Sequence, residues 1–445
     1  MRFPPEWAGW YTSRMGGGLA LVFALVGAPS GIGMAQTPAP AKAAAVDSAT
    51  TITFADALRL ALRQNTSVRQ AENAAALSSA TVQEQKLQFL PNLQLSTTGA
   101  QNVGRSFSES QGSIINQTTQ SLTAGISSNV TLFNGLSNVA SLRQANLASD
   151  ASGRDLTRAR QTAAFTVASN YLTLVTDQAQ LKVQQQNLAA QEALETQIEK
   201  MVQAGTRAIS DQYQQEAVVA AARSSVTAAE RDLEEAKIGI IQTLQLDPSR
   251  AYTFVAPVVG SPDSLPASFG LDSLLSRAYA NRADLASATS RVAAASQGVK
   301  AATGGRWPTV SLSAGYSSSY NSAGDLSLGD QLDQRRGGSI AIGIAIPLFD
   351  RGQVSLAAQQ ARIDEENARL TLETQRQTVG LDVRRASLDY NAARQQLAAA
   401  EAQLKASNLA VTTAQKRYEA GAGTLVEVTQ ARATQVQAAS SIQPT

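Results

Sequence analysis

The sequence carries the same order of residues twice, and this duplication limits the possible folds more than any other feature. Corresponding residues lie about 216 positions apart (281 − 65). The matching pairs are Asn65 and Asn281, Leu132-Phe133 and Leu348-Phe349, Ala204-Gly205 and Ala420-Gly421, and, one residue further, Pro91 and Pro308. The chain is therefore predicted to contain two copies of one structural unit, at residues 51–260 and 261–445.

Each copy contains a long stretch without proline. The first runs from about Ser137 to Gln203 with only Gly153 as a helix breaker, and the second from Val354 to Glu419. At about 1.5 Å per residue, a helix over either stretch is roughly 100 Å long, far longer than the helices of ordinary globular domains. An Ala-Gly pair follows each stretch, so Gly205 and Gly421 are predicted to reverse the chain at the tips of two helical hairpins.

Apolar residues recur every seven positions along both predicted helices. They are Val167, Leu174, Leu181 and Leu188 in the first, and Val383, Tyr390, Leu397, Leu404, Val411 and Tyr418 in the second. A seven-residue repeat keeps one seam of a helix against its partner and indicates a left-handed coiled coil. The flanking Ala and Gln residues suit a helix with neighbours on both sides, as in a wall, although an ordinary antiparallel hairpin shows the same heptads.

Shorter segments alternate between apolar residues and small or polar ones, which indicates β-strands with two unlike faces. The apolar positions are Leu122, Ala124, Ile126, Val130 and Leu132, then Val310, Leu312, Ala314, Tyr316 and Tyr320, and finally Ile340, Ile342, Ile344, Ile346 and Leu348. Leu93 and Leu95 begin a less regular fourth strand. Such strands suit either the wall of a membrane barrel or a half-buried sheet of a soluble protein. Because four strands cannot enclose a lumen, the barrel interpretation requires an oligomer.

The N-terminus has the pattern of an export signal. Arg2 and Arg14 flank the apolar run from Gly16 to Ala28, and small residues at Gly33 and Ala35 permit cleavage after Ala35. A membrane anchor is the alternative, but the run is shorter than the ~20 residues that a span needs. Residues 1–35 are therefore predicted to be a signal peptide, and residues 36–50 a flexible leader rich in Ala and Pro.

Two absences from the composition exclude most catalytic and metal chemistry. The chain has no His and no Cys, so it lacks the usual ligands for zinc, copper and iron–sulfur centres and the usual base that activates a serine nucleophile. Lys plus Arg is 37 and Asp plus Glu is 35, a balance that does not suit a nucleic-acid partner. These absences leave a carboxylate or Lys mechanism open, but no convergent set of acid, base and nucleophile supports one. The sequence therefore predicts a protein that is not an enzyme and carries no cofactor and no metal.

Several segments, in this order and spacing, resemble the TolC-like outer-membrane efflux proteins. They are TFADALRLALRQN near the start, the FLPNL and VTLFNG strand pair, NRADL at 281–285, IPLFDRG at 346–352 and RYEAGAGTLVEVTQARA at 417–433. The resemblance covers residues 51–445. It implies a mainly α fold with a transmembrane β part, in which long α-helical hairpins form a periplasmic α-barrel.

The resemblance also implies an assembly. Three subunits would supply four strands each to a 12-stranded outer-membrane β-barrel, surrounded by outer-membrane lipid, and twelve helical columns to a tunnel extending into the periplasm. The hairpin tips at Gly205 and Gly421 would dock on a periplasmic adaptor protein, which joins the duct to an inner-membrane transporter. The implied function is that of an exit duct of a tripartite efflux pump or a type I secretion system.

The family's tunnel narrows at the turns of the second-half helices, and the resemblance places candidate gate residues there. Tyr418 corresponds to a tyrosine that helps to latch the closed end, and Ser210 and Asp211 correspond to its partners on the first hairpin. Glu427 stands where the family often has an aspartate lining the aperture, so three subunits would form an acidic ring that attracts cations. Alternatively, Asp211 and Glu427 are solvated carboxylates and Tyr418 is a core heptad residue.

This sequence departs from the family pattern in three places. Gly423 stands where a latching arginine is found, and Gln430 replaces a second acidic residue, so a tightly salt-bridged closed gate is not expected. The helix after Gly205 is predicted to run about 40 residues to Leu246, whereas 24 residues (445 − 421) follow Gly421. The last helical column is therefore expected to be short, either because the sequence is a fragment or because its end has diverged.

A soluble periplasmic coiled-coil adaptor or scaffold of a transport system is the alternative function. Adaptors also contain long hairpins, but typically one, flanked by compact β domains. The doubled hairpin and the four alternating strands favour the channel.

Overall fold

A computed structural model of the chain describes residues 50–108, 112–255 and 269–442. The predicted signal peptide at residues 1–35 and the leader up to residue 49 lie outside the described residues. Thr50, which the sequence assigned to the leader, is the first residue of a strand.

The described residues are mainly helical, as predicted. The helices are α1 (Phe54–Gln64), α2 (Thr66–Leu87), α3 (Ser137–Gln203), α4 (Ile209–Leu244), α5 (Leu271–Asn281), α6 (Ala283–Gly304), α7 (Leu328–Gln334), α8 (Gln353–Glu419) and α9 (Leu425–Ser441). The two long helices α3 and α8 each contain 67 residues and begin 216 residues apart (353 − 137). Within the described ranges, no helix combines the length and the apolar character needed to cross a membrane.

The seven-residue repeat marks the inward faces of α3 and α8. Among the predicted positions, Val167, Leu174, Val411 and Tyr418 are buried, and the others are partly buried. The reason is that α3 packs against α4, and the last part of α8 against the shorter α9. Val383 and Tyr390, further back on α8, lie beside α5 and Phe269 instead.

The strands form two sheets in the described part of the chain. They are β1 (Thr50–Thr53), β2 (Gln94–Ser108), β3 (Ser113–Asn134), β4 (Tyr252–Val255), β5 (Thr309–Asn321) and β6 (Gly337–Ala345). The larger sheet is antiparallel with the order β2-β3-β5-β6, so the two copies of the repeat meet where β3 pairs with β5. The smaller parallel sheet of β1 and β4 was not predicted.

The larger sheet is open. Within the described residues, β2 and β6 each pair with one strand, which leaves an unpaired edge on both sides. The apolar side chains of Ile340, Ile342 and Ile344 on β6 are 66 to 80% exposed in the single chain. An open sheet with an apolar face and unpaired edges requires further strands or lipid around it.

One predicted strand is too long. Strand β6 ends at Ala345, which pairs with Thr309 at the start of β5. The prediction that Ile346 and Leu348 belong to this strand is therefore wrong. The physical reason is Pro347, which has no amide hydrogen to donate to the neighbouring strand.

The long helices begin at two equivalent joints with the sheet. Gly135 and Leu136 precede α3 with φ of +64° and +63°, and Arg351 and Gly352 precede α8 with φ of +56° and +77°. The first joint lies against the end of α6, where the Ser137 hydroxyl donates a 2.9 Å hydrogen bond to the carbonyl of Ala301.

The main core fixes the first hairpin to the start of the described chain. Tyr171 of α3 lies at its centre, and its hydroxyl donates a 3.2 Å hydrogen bond to the carbonyl of Ile52 in β1. The buried members are Ile52, Ala57, Ala61, Val167, Tyr171, Leu174, Ile240, Leu244 and Phe254. Residues of α1, α3, α4 and the small sheet are therefore held together in one cluster.

A polar network joins α6 and α8 of the second copy to α3. Asp284 at the start of α6 accepts a 2.6 Å hydrogen bond from Arg282 and a 3.0 Å bond from Gln375 of α8. Arg158 of α3 lies 3.6 Å from the same carboxylate, and Arg282 also contacts Asp382 of α8 at 3.2 Å. Burial raises the pKa of Asp284, but hydrogen bonding to Arg282 and the charges of Arg282 and Arg158 outweigh it and hold the pKa below its ordinary value of 3.8.

Asp284→Asn is expected to lower the free energy of unfolding at neutral pH by about 1–3 kcal/mol, because it leaves partly buried arginines without their carboxylate. The wild-type contribution is fully present above pH ~3.8 and is lost as pH falls through the lower folded-state pKa. Denaturant unfolding of both proteins in detergent as a function of pH measures this. Asp364→Asn, an exposed change on α8, is the control, and equal pH profiles for wild type and Asp284→Asn would contradict the expectation.

Candidate gate at the hairpin tips

The tips of both hairpins are built in the same way. Gly205 and Gly421 have φ of +72° and +73°, the left-handed conformation that glycine adopts without strain. The amides of Gly205 and Thr206 donate to the carbonyls of Val202 and Met201, and the amides of Gly421 and Ala422 donate to those of Tyr418 and Arg417. This bonding is the Schellman ending of a helix, so the turns predicted from the Ala-Gly pairs are confirmed.

Tyr418 connects the two hairpins. Its side chain is 1% exposed and packs with Leu194, Ile198, Leu425 and Val428, which come from α3 and α9. Its hydroxyl lies 3.4 Å from a carboxylate oxygen of Asp211 in the first turn of α4. Burial, and then the charge of Asp211, raise the pKa of Tyr418, so the phenol stays protonated and donates to the carboxylate.

Ser210 does not join this contact. It is exposed, and among the described atoms its hydroxyl makes no hydrogen bond with Tyr418. Because Ser210 and Asp211 are adjacent on a helix, they point about 100° apart, and only Asp211 faces the second hairpin.

Arg207 makes a second link between the hairpins, and sequence reasoning missed it. Its guanidinium carbon lies 4.1 Å from the centre of the Tyr418 ring, and Nη2 donates a hydrogen bond to the Tyr418 carbonyl. The cation therefore stacks on an aromatic face and also caps the C-terminal end of α8, where the helix dipole favours positive charge. The only sequence signal was a basic residue directly after the first glycine turn.

Glu427 and Gln430 lie on α9. The amide of Glu427 donates to the hydroxyl of Thr424, which caps the helix, and the Glu427 carboxylate lies 3.3 Å from the guanidinium of Arg417. Gln430 is exposed one turn further along. The structure thus places an arginine beside the predicted acidic residue although position 423 is a glycine.

Comparison with known proteins supports one family. The model of the outer membrane efflux protein family matches residues 57–244 and 274–442. The pyoverdine export outer membrane protein OpmQ of Pseudomonas putida is 26% identical over 279 residues, which are 63% of this chain and 57% of OpmQ. The chain thus spans somewhat more than half the length of this curated relative.

Two solved structures share the fold. The crystal structure of CusC matches with a TM-score of 0.76 and 19% identity, covering 88% of this chain and 87% of CusC. That of VceC from Vibrio cholerae matches with a TM-score of 0.75 and 18% identity, covering 87% and 91%. Because the family model matches most of the chain in two segments, the chain belongs to the outer membrane efflux protein family and is an outer-membrane protein.

Proposed function

We propose that three copies of this chain form a passive outer-membrane channel, the exit duct of a tripartite efflux pump or a type I secretion system. The observation that carries the proposal is one chain in which an open antiparallel sheet continues into two helical hairpins, each with a first helix about 100 Å long. Family membership favours this function over a soluble periplasmic coiled-coil adaptor or scaffold.

The edges of the sheet support a trimer. Neighbouring strands in the order β2-β3-β5-β6 are all antiparallel, so the edge strands β2 and β6 run in opposite directions. Strand β6 of one subunit can therefore continue the antiparallel ladder with β2 of the next. Three subunits then close twelve strands into a barrel wide enough for a lumen, and no edge remains.

We further propose that the hairpin tips form the gate, at Ser210, Asp211, Tyr418, Glu427 and Gln430. The contacts between Tyr418, Asp211 and Arg207 hold the two hairpins of one subunit together. Docking of a periplasmic adaptor at the turns of Gly205 and Gly421 would separate the hairpins and widen the duct toward an inner-membrane transporter.

The assembly can be tested by light scattering of the detergent-extracted outer-membrane fraction, with the mass of detergent subtracted. A trimer that resists extraction with high salt and carbonate is expected, because a barrel leaves the membrane only with detergent. A monomer or dimer released by salt would instead support the soluble scaffold.

Arg207→Ala is expected to raise the resting single-channel conductance in planar bilayers. The stacking and hydrogen bond of a partly exposed arginine stabilise the closed tips by about 1–2 kcal/mol, so their loss should raise the open-to-closed ratio about 5- to 30-fold. Arg223→Ala is the matched control, because it removes an exposed arginine of α4 that pairs with Glu192 and lies away from the tip. Equal resting conductance in both variants would contradict the proposed latch.

A further inference from the structure

The turn between α8 and α9 contains a closely matched pair of charges. One guanidinium nitrogen of Arg417 lies 3.3 Å from a carboxylate oxygen of Glu427. Another donates a 3.1 Å hydrogen bond to the carbonyl of Ala422, within the turn itself. Arg417 is thereby fixed to the turn that carries Glu427.

Gly423 makes this approach possible. A Cβ at position 423 would lie 3.2 Å from the Cβ of Arg417 and 3.3 Å from the Glu427 carboxylate oxygen. Both distances are shorter than ordinary van der Waals contacts, so Arg417 or Glu427 would have to shift by a few tenths of an ångström to make room for a Cβ. The glycine at position 423 therefore leaves space for Arg417 to lie beside Glu427.

The helix ends hold both members of the pair in place. Arg417 lies in the last turn of α8, where the helix dipole favours a cation, and Glu427 lies in the first turn of α9, where it favours an anion. The hydroxyl of Thr424 accepts a hydrogen bond from the Glu427 amide at 3.3 Å and fixes that first turn.

The charges around both tips also balance. The basic residues of segments 207–211 and 416–427 are Arg207, Lys416 and Arg417, and the acidic ones are Asp211, Glu419 and Glu427. In a trimer these two segments therefore carry no net formal charge.

We propose that Arg417 neutralises the Glu427 ring, so that the narrow end of the duct selects only weakly between cations and anions. This inference rests on the proposed channel function. Arg417 acts as a residue that determines selectivity, because three uncompensated carboxylates would attract cations whereas three carboxylate–guanidinium pairs present almost no field to a passing ion.

The test is the reversal potential of purified trimers in planar bilayers under a salt gradient. Arg417→Gln should raise the cation-to-anion permeability ratio about fivefold at low salt, and Glu427→Gln should lower it by a similar factor. The double variant Arg417→Gln/Glu427→Gln should return to the wild-type ratio, because it removes both charges. Arg362→Gln, which removes an exposed positive charge far from the tip on the same helix, should leave the ratio unchanged.

The outcomes separate this inference from the proposed function. Trimers of both wild type and Arg207→Ala that insert but conduct no ions would overturn the channel itself, and with it this inference. Conducting trimers in which Arg417→Gln keeps the wild-type permeability ratio would overturn the role of Arg417 and leave the channel standing. Light scattering of each variant verifies that the trimer is intact before the measurement.

Discussion

Gly135→Ala is expected to destabilise the joint between β3 and α3 strongly, and more than Gly352→Ala destabilises the equivalent joint before α8. A Cβ at Gly135 would lie 2.2 Å from the carbonyl oxygen of Gly304 and 2.8 Å from the Cβ of Trp307. Backbone at the end of α6 would have to move, which would disturb the hydrogen bond from Ser137 to Ala301. The left-handed φ and the overlap together should cost about 2–5 kcal/mol.

Gly352→Ala separates these two causes. Gly352 lies at the equivalent joint before α8 and has a similar φ of +77°, but within the described structure a Cβ there would meet no atom within 4 Å. This variant should therefore cost only about 1–2 kcal/mol, the strain of the left-handed conformation. Thermal unfolding of the trimers in detergent, followed by circular dichroism, measures both, and an equal loss of stability would show that crowding at Gly304 is unimportant.

The same pair of joints shows what the sequence could and could not predict. The starts of α3 and α8 were predicted within one residue, because helices depend on local signals: no proline, periodic apolar residues and a turn on either side. The close approach of Gly135 to Gly304 was not predicted. This contact joins residues 169 positions apart (304 − 135). The equivalent position before α8 is occupied by Arg351, whose long side chain gives no sign in the sequence of such an approach.

Long-range pairing also explains the other omissions. The strands β1 and β4 contain four residues each, too few for an alternating pattern to be recognised in the sequence. They can be identified only from the structure, where Ile52 and Phe254 pair and lie in the core. Strand β6 was predicted too long because alternation continued past Pro347, whose missing amide hydrogen should have taken precedence.

At the tips, the sequence indicated the right elements but not all the contacts. Asp211 and Tyr418 are brought together, whereas Ser210 remains apart. Arg207 and Arg417 were missed because the contacts that each makes form only in the folded chain. Arg207 contacts Tyr418 in the other hairpin, and Arg417 contacts Glu427 across the turn that contains Gly423. The role of these residues in gating stays a prediction.

Tyr171→Ala is expected to have the largest effect of any core substitution, about 3–5 kcal/mol. The ring is 1% exposed and makes edge contacts with Phe54 and Phe254, at 5.4 and 6.2 Å between ring centres. Its removal leaves a cavity where α3, the start of α1 and the small sheet meet. The loss should appear as a lower unfolding midpoint, with the ends of α1 and α4 released first in hydrogen exchange.

Tyr171→Phe distinguishes the ring from the hydroxyl. This variant keeps the packing and removes only the hydrogen bond to Ile52, so it should cost about 1 kcal/mol at neutral pH.

Burial, with a smaller effect of Asp56, raises the pKa of Tyr171 to about 12. In the unfolded chain the Tyr171 phenol ionises near its ordinary pKa of about 10, below its pKa in the folded protein. The contribution of the protonated phenol to the free energy of unfolding is therefore fully present below pH ~10 and is lost as pH rises toward 12. Between pH 10 and 12 wild type should lose stability relative to Tyr171→Phe. Parallel pH curves for the two proteins would show that the hydroxyl is not shielded from water and that the core around α3 is looser than its packing implies.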